Sequence, residues 1–345
     1  MHGTRFQQRQ RIGPAGIASE LLSDGYNRLI QGDCLAVMAA LPAASFNTIY
    51  IDPPFFTGKQ RLMSKEAPAG FTYADAWEHG LAEYIDWLGE RLTVMRGLLR
   101  EDGALLVHLD WHAVHYVKVL LDRLFGIEHF QNEFIWYYSG GGASRQRFAR
   151  KHDTILYYTK SAKEWKFYAD RVRTPYRWTQ GQPRADGSKR DYQRGKLPDD
   201  VWEQHALMPW AQEHLGYPTQ KPEALLERLL LATTDEGDTV GDFFCGSGTT
   251  AATAQRLGRR WVTTDASREA VCLTAERIAE FLVPGCVTHT ERRARARAHA
   301  RFERLAAATH LGLDDATLAA CALTRDYPGT GFAVEEQLDS SVLSA

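Results

Sequence analysis

The sequence predicts an α/β fold built on a doubly wound, mostly parallel sheet. Three observations carry this. Thr48 to Ile51 is a β-branched and aromatic run that reads as a buried strand, and it ends at Asp52-Pro53-Pro54-Phe55. Thr239 to Phe244 reads as a second buried strand. It runs into the glycine-rich turn Cys245-Gly246-Ser247-Gly248-Thr249-Thr250 and a short helix stopped by Gly258. A strand, a glycine-rich turn and a helix in that order form the nucleotide-binding corner of a doubly wound sheet. Around these two corners, short apolar strands alternate with amphipathic helices.

In chain order, residues 1–25 are Gln-, Arg- and Gly-rich at first and read as a poorly ordered arm. Arg28 to Gln31 predicts a short strand ending at Gly32-Asp33, with Asp33 placed to cap a helix over residues 34–41. After Asp52, two prolines stiffen the backbone and remove two N–H donors, so the Asp52 and Pro53 carbonyls are open to a ligand. A carboxylate, a fixed carbonyl and the ring of Phe55 suit a flat ligand with an NH2 group, such as a nucleobase. A strand end with a packed phenylalanine is the ordinary alternative. Residues 56–70 read as a loop in which Lys59 and Arg61 either reach phosphates or are solvated. Leu81, Ile85, Leu88, Leu92, Met95 and Leu99 have helical spacing over residues 81–100. Asp102-Gly103 ends that helix, and Ala104 to Leu109 is the next buried strand. His108, His112 and His115 do not follow the His-Glu-x-x-His pattern, so no metal site is predicted; Trp111 and His112 are candidates to face a cleft.

Residues 113–125 predict a helix closed by Gly126, and Glu133 to Tyr138 with Thr154 to Thr159 predicts an antiparallel hairpin at the sheet edge. The loop between them sets glycines beside Arg145 and Arg147, which suits either approach to a polyanion or plain exposure. Residues 160–216 change in character: Arg171, Arg173, Arg177 and other basic residues interleave with Trp165, Trp178, Trp202 and Trp210. Such a segment can reach phosphates and bases, or be a solvated irregular insertion. Pro222 stands near the first position of a helix whose apolar face is Leu225, Leu226, Leu229 and Leu230. Trp261 to Thr264 is a strand ending at Asp265, placed to hold ribose hydroxyls. Ser267 caps a helix running to about Leu282. Further on, Arg292, Arg293, Arg295, Arg297, Arg301 and Arg304 follow a helical pattern, and residues 335–345 read as a loose tail.

At 345 residues, 44% hydrophobic and 24% charged, the chain can build one large core or two domains. A net charge of −2 means that any surface for nucleic acid is local. The five cysteines form no CxxC pair, which argues against a zinc site or a disulfide framework and fits a reducing compartment. Met1 to Arg11 has no apolar core of a signal peptide, and no apolar run is long enough to span a bilayer.

Asp52-Pro53-Pro54-Phe55 upstream of Asp242-Phe243-Phe244-Cys245-Gly246-Ser247-Gly248-Thr249-Thr250 resembles the S-adenosylmethionine-dependent amino-methyltransferases of DNA. The order of the two motifs is similar to their β group, as in type II and type III restriction–modification systems. Gly32-Asp33-Cys34-Leu35, the run from Leu98 to Val107, and Tyr217-Pro218-Thr219-Gln220-Lys221-Pro222 stand in matching order, so the resemblance covers residues 26–282. It implies a Rossmann-like sheet of the methyltransferase type, with a catalytic half (26–159), a target-recognition insertion (160–216) and a cofactor half (217–283). An N-terminal arm (1–25) and a helical extension with a tail (284–345) flank these. It implies catalysis by Asp52, Pro53, Pro54 and Phe55 on the exocyclic amine of a flipped base, adenine N6 ahead of cytosine N4. It implies S-adenosylmethionine held by Asp33, Lys221, Asp242, Phe243, Phe244, Cys245, Gly246, Ser247, Gly248, Thr249 and Asp265, with Asp33 near the adenine and Lys221 near the methionine carboxylate. DNA contacts are expected from Lys59, Arg61, Arg145, Arg147, Arg171, Arg173 and Arg177. The expected partner is double-stranded DNA, with a homodimer and a cognate restriction subunit as further expectations, in the cytoplasm and away from membranes. A nicotinamide oxidoreductase would use the same glycine-rich turn but leaves Asp52-Pro53-Pro54-Phe55 without a role. An inactive DNA-binding protein would not need the full motif set.

Overall fold

The computed structural model describes residues 27–58, 60–62, 72–75, 77–138, 143–176, 193–208, 211, 213–282 and 332–336. The strands are β1 (Asn27–Gln31), β2 (Phe46–Ile51), β3 (Gln60–Leu62), β4 (Thr72–Ala74), β5 (Leu99–Leu109) and β6 (Phe130–Tyr137). They continue as β7 (His152–Thr159), β8 (Val201–Glu203), β9 (Thr239–Asp242), β10 (Arg260–Asp265) and β11 (Phe332–Glu336). The helices are α1 (Cys34–Ala39), α2 (Leu81–Leu98), α3 (Val114–Phe125), α4 (Glu223–Thr233), α5 (Thr249–Arg256) and α6 (Arg268–Leu282).

Among the described residues, one sheet has the order β11-β1-β10-β9-β2-β5-β7-β6-β8, and β3 with β4 forms a separate antiparallel ribbon. The sheet is parallel from β11 through β5. β7 then runs antiparallel to both β5 and β6, so the expected hairpin is present. It is not the sheet edge, because β8 from the 160–216 segment pairs parallel with β6 beyond it.

The side-chain period of two puts β2 and β5 in both cores at once. Ile49, Ile51, Leu105 and Val107 join α1, α2 and α3 on one face, whereas Tyr50 and Leu106 join Leu225, Leu226 and Leu229 of α4 on the other. Leu29, Val240 and Trp261 complete that second face with α5 and α6. Leu88, Leu92 and Met95 of α2 are fully buried, each contributing roughly 1.5–3 kcal/mol of apolar burial.

Three elements differ from expectation. The helix expected to reach residue 100 ends at Leu98, and Leu99 is already extended. Gly103 lies inside β5, where the β2–β5 register shifts; a Cβ there would stand 2.9 Å from the Arg100 carbonyl oxygen and 3.0 Å from that of Phe46. The loop expected after Phe55 contains the β3–β4 ribbon. In the expected helical extension and tail, Phe332–Glu336 instead pairs with β1. The arm (1–25) and the arginines of 292–304 lie outside the described residues.

From β2 the chain winds through α2 to β5, and from β9 through α5 to β10 in the opposite direction across the sheet. The switch point therefore falls between β2 and β9, and crevices for ligands open at the carboxyl ends of the strands there. The two motifs singled out in the sequence are these two carboxyl ends.

Candidate active site

Asp52 leaves β2 at this crevice. Its Oδ2 pairs with Lys221 Nζ at 2.5 Å, while its Oδ1 is buried with no hydrogen-bond partner. The Pro-Pro turn is pinned from both sides. Tyr84 donates its hydroxyl to the Pro54 carbonyl at 2.8 Å. Asp75 accepts from the backbone N–H of Phe56 at 2.8 Å and of Thr57 at 2.7 Å. Phe56 has a φ of 61°, so these bonds hold a left-handed conformation that a bulky side chain seldom adopts. Asp75 is 1% exposed and carries no sequence signal, being a single acid across a loop with no motif around it.

Phe55 stacks on His108, with centroids 5.9 Å apart and planes 27° apart. His108 is fully buried; its Nδ1 lies 2.7 Å from the Tyr50 hydroxyl and its Nε2 3.3 Å from Asp153 Oδ2. Tyr138 donates to the other Asp153 oxygen at 3.1 Å. Burial pushes Asp153 up, but hydrogen bonds from His108 and Tyr138 and the charges of His108 and Lys221 outweigh it and hold the carboxyl below its ordinary value. The three histidines do not converge: His112 turns instead to Asp110, with Nδ1 2.8 Å from Oδ2. Among the described residues no group of His, Cys, Asp and Glu could hold a metal ion.

The glycine-rich turn is built around two left-handed glycines. Gly246 has φ 51° and Gly248 φ 73°. A Cβ on Gly248 would fall 2.6 Å from the Thr274 side chain, so only glycine fits. Asp265 accepts from Gly246 N–H and Ser267 N–H, both at 2.9 Å, and burial raises its carboxyl above the usual range. Asp242, 3% exposed, accepts from Phe244 N–H at 3.1 Å; burial pushes its carboxyl up to about 7. Arg277, 2% exposed, donates to the Ser247 carbonyl at 3.1 Å, to Thr249 Oγ1 at 3.0 Å and to Glu223 at 2.6 Å. It ties α6 to the turn and to the start of α4. Sequence reasoning missed it, because an arginine on an amphipathic helix reads as solvated.

On the β1 side, Asp33 caps α1 through Leu35 N–H at 2.9 Å and Ala36 N–H at 3.2 Å, and its other oxygen takes Arg91 at 3.0 Å. Arg91 lies 4.1 Å over Trp87, and Trp87 meets Phe244 at 5.8 Å. Phe244 and Trp87 thus form an aromatic wall beside Asp33. The ring of Phe243 packs edge-on to Phe46 in the core, 5.7 Å away, and the thiol of Cys245 is buried near Thr274. Ser247 is 4% exposed, its hydroxyl 3.3 Å from that of Thr249.

A cleft of about 790 Å3 joins these parts, lined by Asp33, Asp52, Pro53, Pro54, Phe55, Lys221, Asp242, Phe243, Phe244, Cys245, Gly246, Ser247, Thr249 and Asp265. Trp87, Trp136, Tyr138 and Asp153 line it too. Among the described residues, eight acidic side chains border the cleft against two cationic ones, Lys221 and Arg268.

The basic residues expected to contact DNA divide. Lys59 and Arg177 lie outside the described residues, and of Arg61 only the backbone is described, in β3. Arg145 and Arg147 are exposed on the β6–β7 loop. Leu109 at the carboxyl end of β5 faces Thr154 at the start of β7, so this loop emerges at the same sheet edge as the cleft. Arg171 and Arg173 are engaged within the chain. Arg171 donates to the Thr234 carbonyl at 3.0 Å and to Asp235 at 2.8 Å, at the amino end of β9 and therefore the edge opposite the cleft. Arg173 is engaged by Asp170 at 2.6 Å and the Gly195 carbonyl at 2.8 Å. Arg171 thus ties the insertion to the segment that leads into β9, and Arg173 joins two parts of the insertion. Trp165 and Trp202 of the insertion pack against the β6 and α4 face.

A family model described as a DNA methylase matches residues 46–276. The chain is 29% identical to the DNA adenine methyltransferase YhdJ of Escherichia coli (strain K12), over 72% of this chain and 82% of that one. It is 28% identical to the type II methyltransferase M.HpaI of Haemophilus parainfluenzae, over 74% and 75%. Among solved structures, the PvuII DNA methyltransferase (cytosine-N4-specific) superposes with a TM-score of 0.54 at 18% identity, covering 80% of this chain and 93% of that one.

Proposed function

The chain belongs to the N6/N4 DNA methylase family, and from that premise we propose that it methylates adenine N6, with the end of β2 as the reacting centre. DNA is its substrate and S-adenosylmethionine its cofactor. The chain's own residues fit that cofactor. The acid-rich cleft favours a cationic ligand, the left-handed Gly246 admits close backbone approach, and the Trp87–Phe244 wall suits a flat purine. Phe244, Asp33, Asp265 and the 245–249 turn would hold it. When bound, it supplies an electrophilic methyl group on a sulfonium and leaves as a neutral thioether.

One observation carries the catalytic reading: Asp52, with one carboxylate oxygen buried and without a donor, lines the same cleft as Pro53 and Phe55. Such an atom is costly unless a ligand satisfies it. An exocyclic amine that reaches the carboxylate would give one hydrogen to Asp52 and the other to the Pro53 carbonyl. These bonds hold the nitrogen lone pair out of the ring and point it at the methyl. As nitrogen gains the methyl it would release one proton, for which the Asp52 carboxylate is the acceptor in this reading. Phe55, backed by His108, offers a stacking face to a base taken out of the duplex. Positioning and fixed charge supply the acceleration.

Adenine is favoured by the relative named as an adenine methyltransferase; cytosine N4 presents the same amine and is the alternative. On the DNA side, the reading assigns Arg145 and Arg147 to phosphates, with Lys59, Arg61 and Arg177 as further candidates. A restriction–modification setting accords with the type II relatives, and a cognate restriction subunit and a homodimer belong to the same reading. No helix among the described residues is long and apolar enough to cross a membrane, and a cytoplasmic place accords with DNA as substrate. The test is to incubate the protein with labelled cofactor and duplex DNA and identify the methylated nucleoside. N6-methyladenine is expected; N4-methylcytosine would move the assignment to the alternative. Asp52→Ala should lower the single-turnover rate by about 100- to 1000-fold while DNA and cofactor still bind. Full activity in that variant would overturn the role of Asp52.

A further inference from the structure

We propose that Lys221 is a positioning residue for Asp52: its ammonium clamps Oδ2 and thereby fixes the orientation in which the carboxylate meets the base amine. This rests on the proposed role of Asp52. The resemblance of the sequence assigns Lys221 to the methionine carboxylate of the cofactor, but the geometry points elsewhere. Lys221 Nζ is 2.5 Å from Asp52 Oδ2 and 3.5 Å from the Thr219 carbonyl, and the side chains of Lys221 and Asp52 are only 10% and 18% exposed. An ion pair so enclosed is little screened by water.

The two oxygens of Asp52 therefore differ. One is held by a cation, and the other is buried and unpartnered. An aspartate carboxylate can rotate, and either oxygen could otherwise face the base. A fixed cation on one oxygen selects a single orientation, as preorganisation requires. The clamp is itself anchored. The Lys221 carbonyl accepts from Thr249 Oγ1 at 3.2 Å, Arg277 donates to that same hydroxyl at 3.0 Å, and Arg277 also pairs with Glu223 at 2.6 Å. The position of Nζ is thus referred to the glycine-rich turn. The lysine, set by the β9 side of the switch point, orients the carboxylate that ends β2. The ammonium also stands 5.2 Å from the Phe55 ring centroid, so it borders the face on which the base would stack.

Two ligands separate this role from a cofactor-carboxylate contact: S-adenosylhomocysteine, which carries the amino-acid tail, and 5′-methylthioadenosine, which lacks it. Calorimetry of Lys221→Met with both ligands is compared with its single-turnover methylation rate at saturating cofactor and DNA. A positioning role predicts a rate loss of about thirtyfold or more, with both affinities within about threefold of the parent. Lys221→Arg keeps the cation and should recover part of the rate. In an Asp52→Asn background, adding Lys221→Met should change the residual rate by less than about threefold, because the clamp acts through the carboxylate. Should the methionine variant not fold, Lys221→Gln carries the same comparisons. A tenfold loss of S-adenosylhomocysteine affinity with 5′-methylthioadenosine unaffected would overturn the proposal in favour of the cofactor contact. A parental rate in Lys221→Met would overturn it outright. If the unmodified protein methylates no DNA, the failure belongs to the functional reading and not to the clamp.

Discussion

Asp242 ends β9 in full burial, and its place beneath the glycine-rich turn makes stability depend on pH. Burial raises its carboxyl from 3.8 to about 7, against hydrogen bonds from Thr250 and the Phe244 N–H that act the other way. An acid raised on folding keeps in the native state a proton that the unfolded chain has already lost. Stability contributed in this way is present at low pH and is lost as pH climbs through the window from 3.8 to about 7. The upper bound on that loss is ~4 kcal/mol. Asp242→Asn keeps an acceptor for the Phe244 N–H and removes the titration. Its denaturant midpoint relative to the parent should therefore rise between pH 5 and pH 8. Parallel midpoints across that range would show that Asp242 does not titrate on folding. Asp265 is shifted in the same direction by burial, so the variant retains part of the slope.

The β6–β7 loop and the insertion behind it show how an element decides what a basic residue does. Both segments are rich in arginine, yet Arg145 and Arg147 stand exposed at the cleft edge of the sheet, whereas Arg171 is paired with Asp235 at the far edge. A molecule of net charge −2 binds a polyanion only through such a local surface. Arg145→Ala with Arg147→Ala should weaken duplex binding and reduce the slope of log K against log salt by about 0.9 per phosphate contact removed, with cofactor affinity unchanged. Arg171→Ala should leave the slope as it is and lower thermal stability instead, since it strips a partner from the Thr234 carbonyl and Asp235. Equal slopes for all three proteins, measured by fluorescence anisotropy over a salt series, would move the DNA surface away from this loop.

At the scale of the whole molecule, what was legible in the sequence is what repeats locally. The continuous apolar and β-branched runs of β2, β5 and β9, the helical spacing of α2 and α4, and the glycine-rich turn each announce themselves within about ten residues. The cap at Asp33 and the pairing of β6 with β7 were legible for the same reason. Contacts made by single residues across the fold were not. Asp75 reaches back to Phe56 and Thr57, Arg277 joins three elements, and Lys221 crosses 169 positions to Asp52, none with a periodic signal. β8 is not legible because its three residues are too short to show a pattern, and β11 because no recognised motif flanks it. These long contacts all converge on the switch point, so the cleft is where the α1–α3 and α4–α6 layers are joined. A ligand that spans the cleft from Asp33 and Phe244 to the 245–249 turn should stabilise the fold as a unit. S-adenosylhomocysteine at about a hundred times its Kd should add about 2.7 kcal/mol to the free energy of unfolding. In a domain of this size that is an upward shift in Tm of roughly 5–10 °C. Asp52→Ala should show the same shift, because in the proposed mechanism its carboxylate serves the base and not the cofactor. A scanning calorimetry trace in which that variant loses the shift would transfer Asp52 from the reacting centre to the cofactor site.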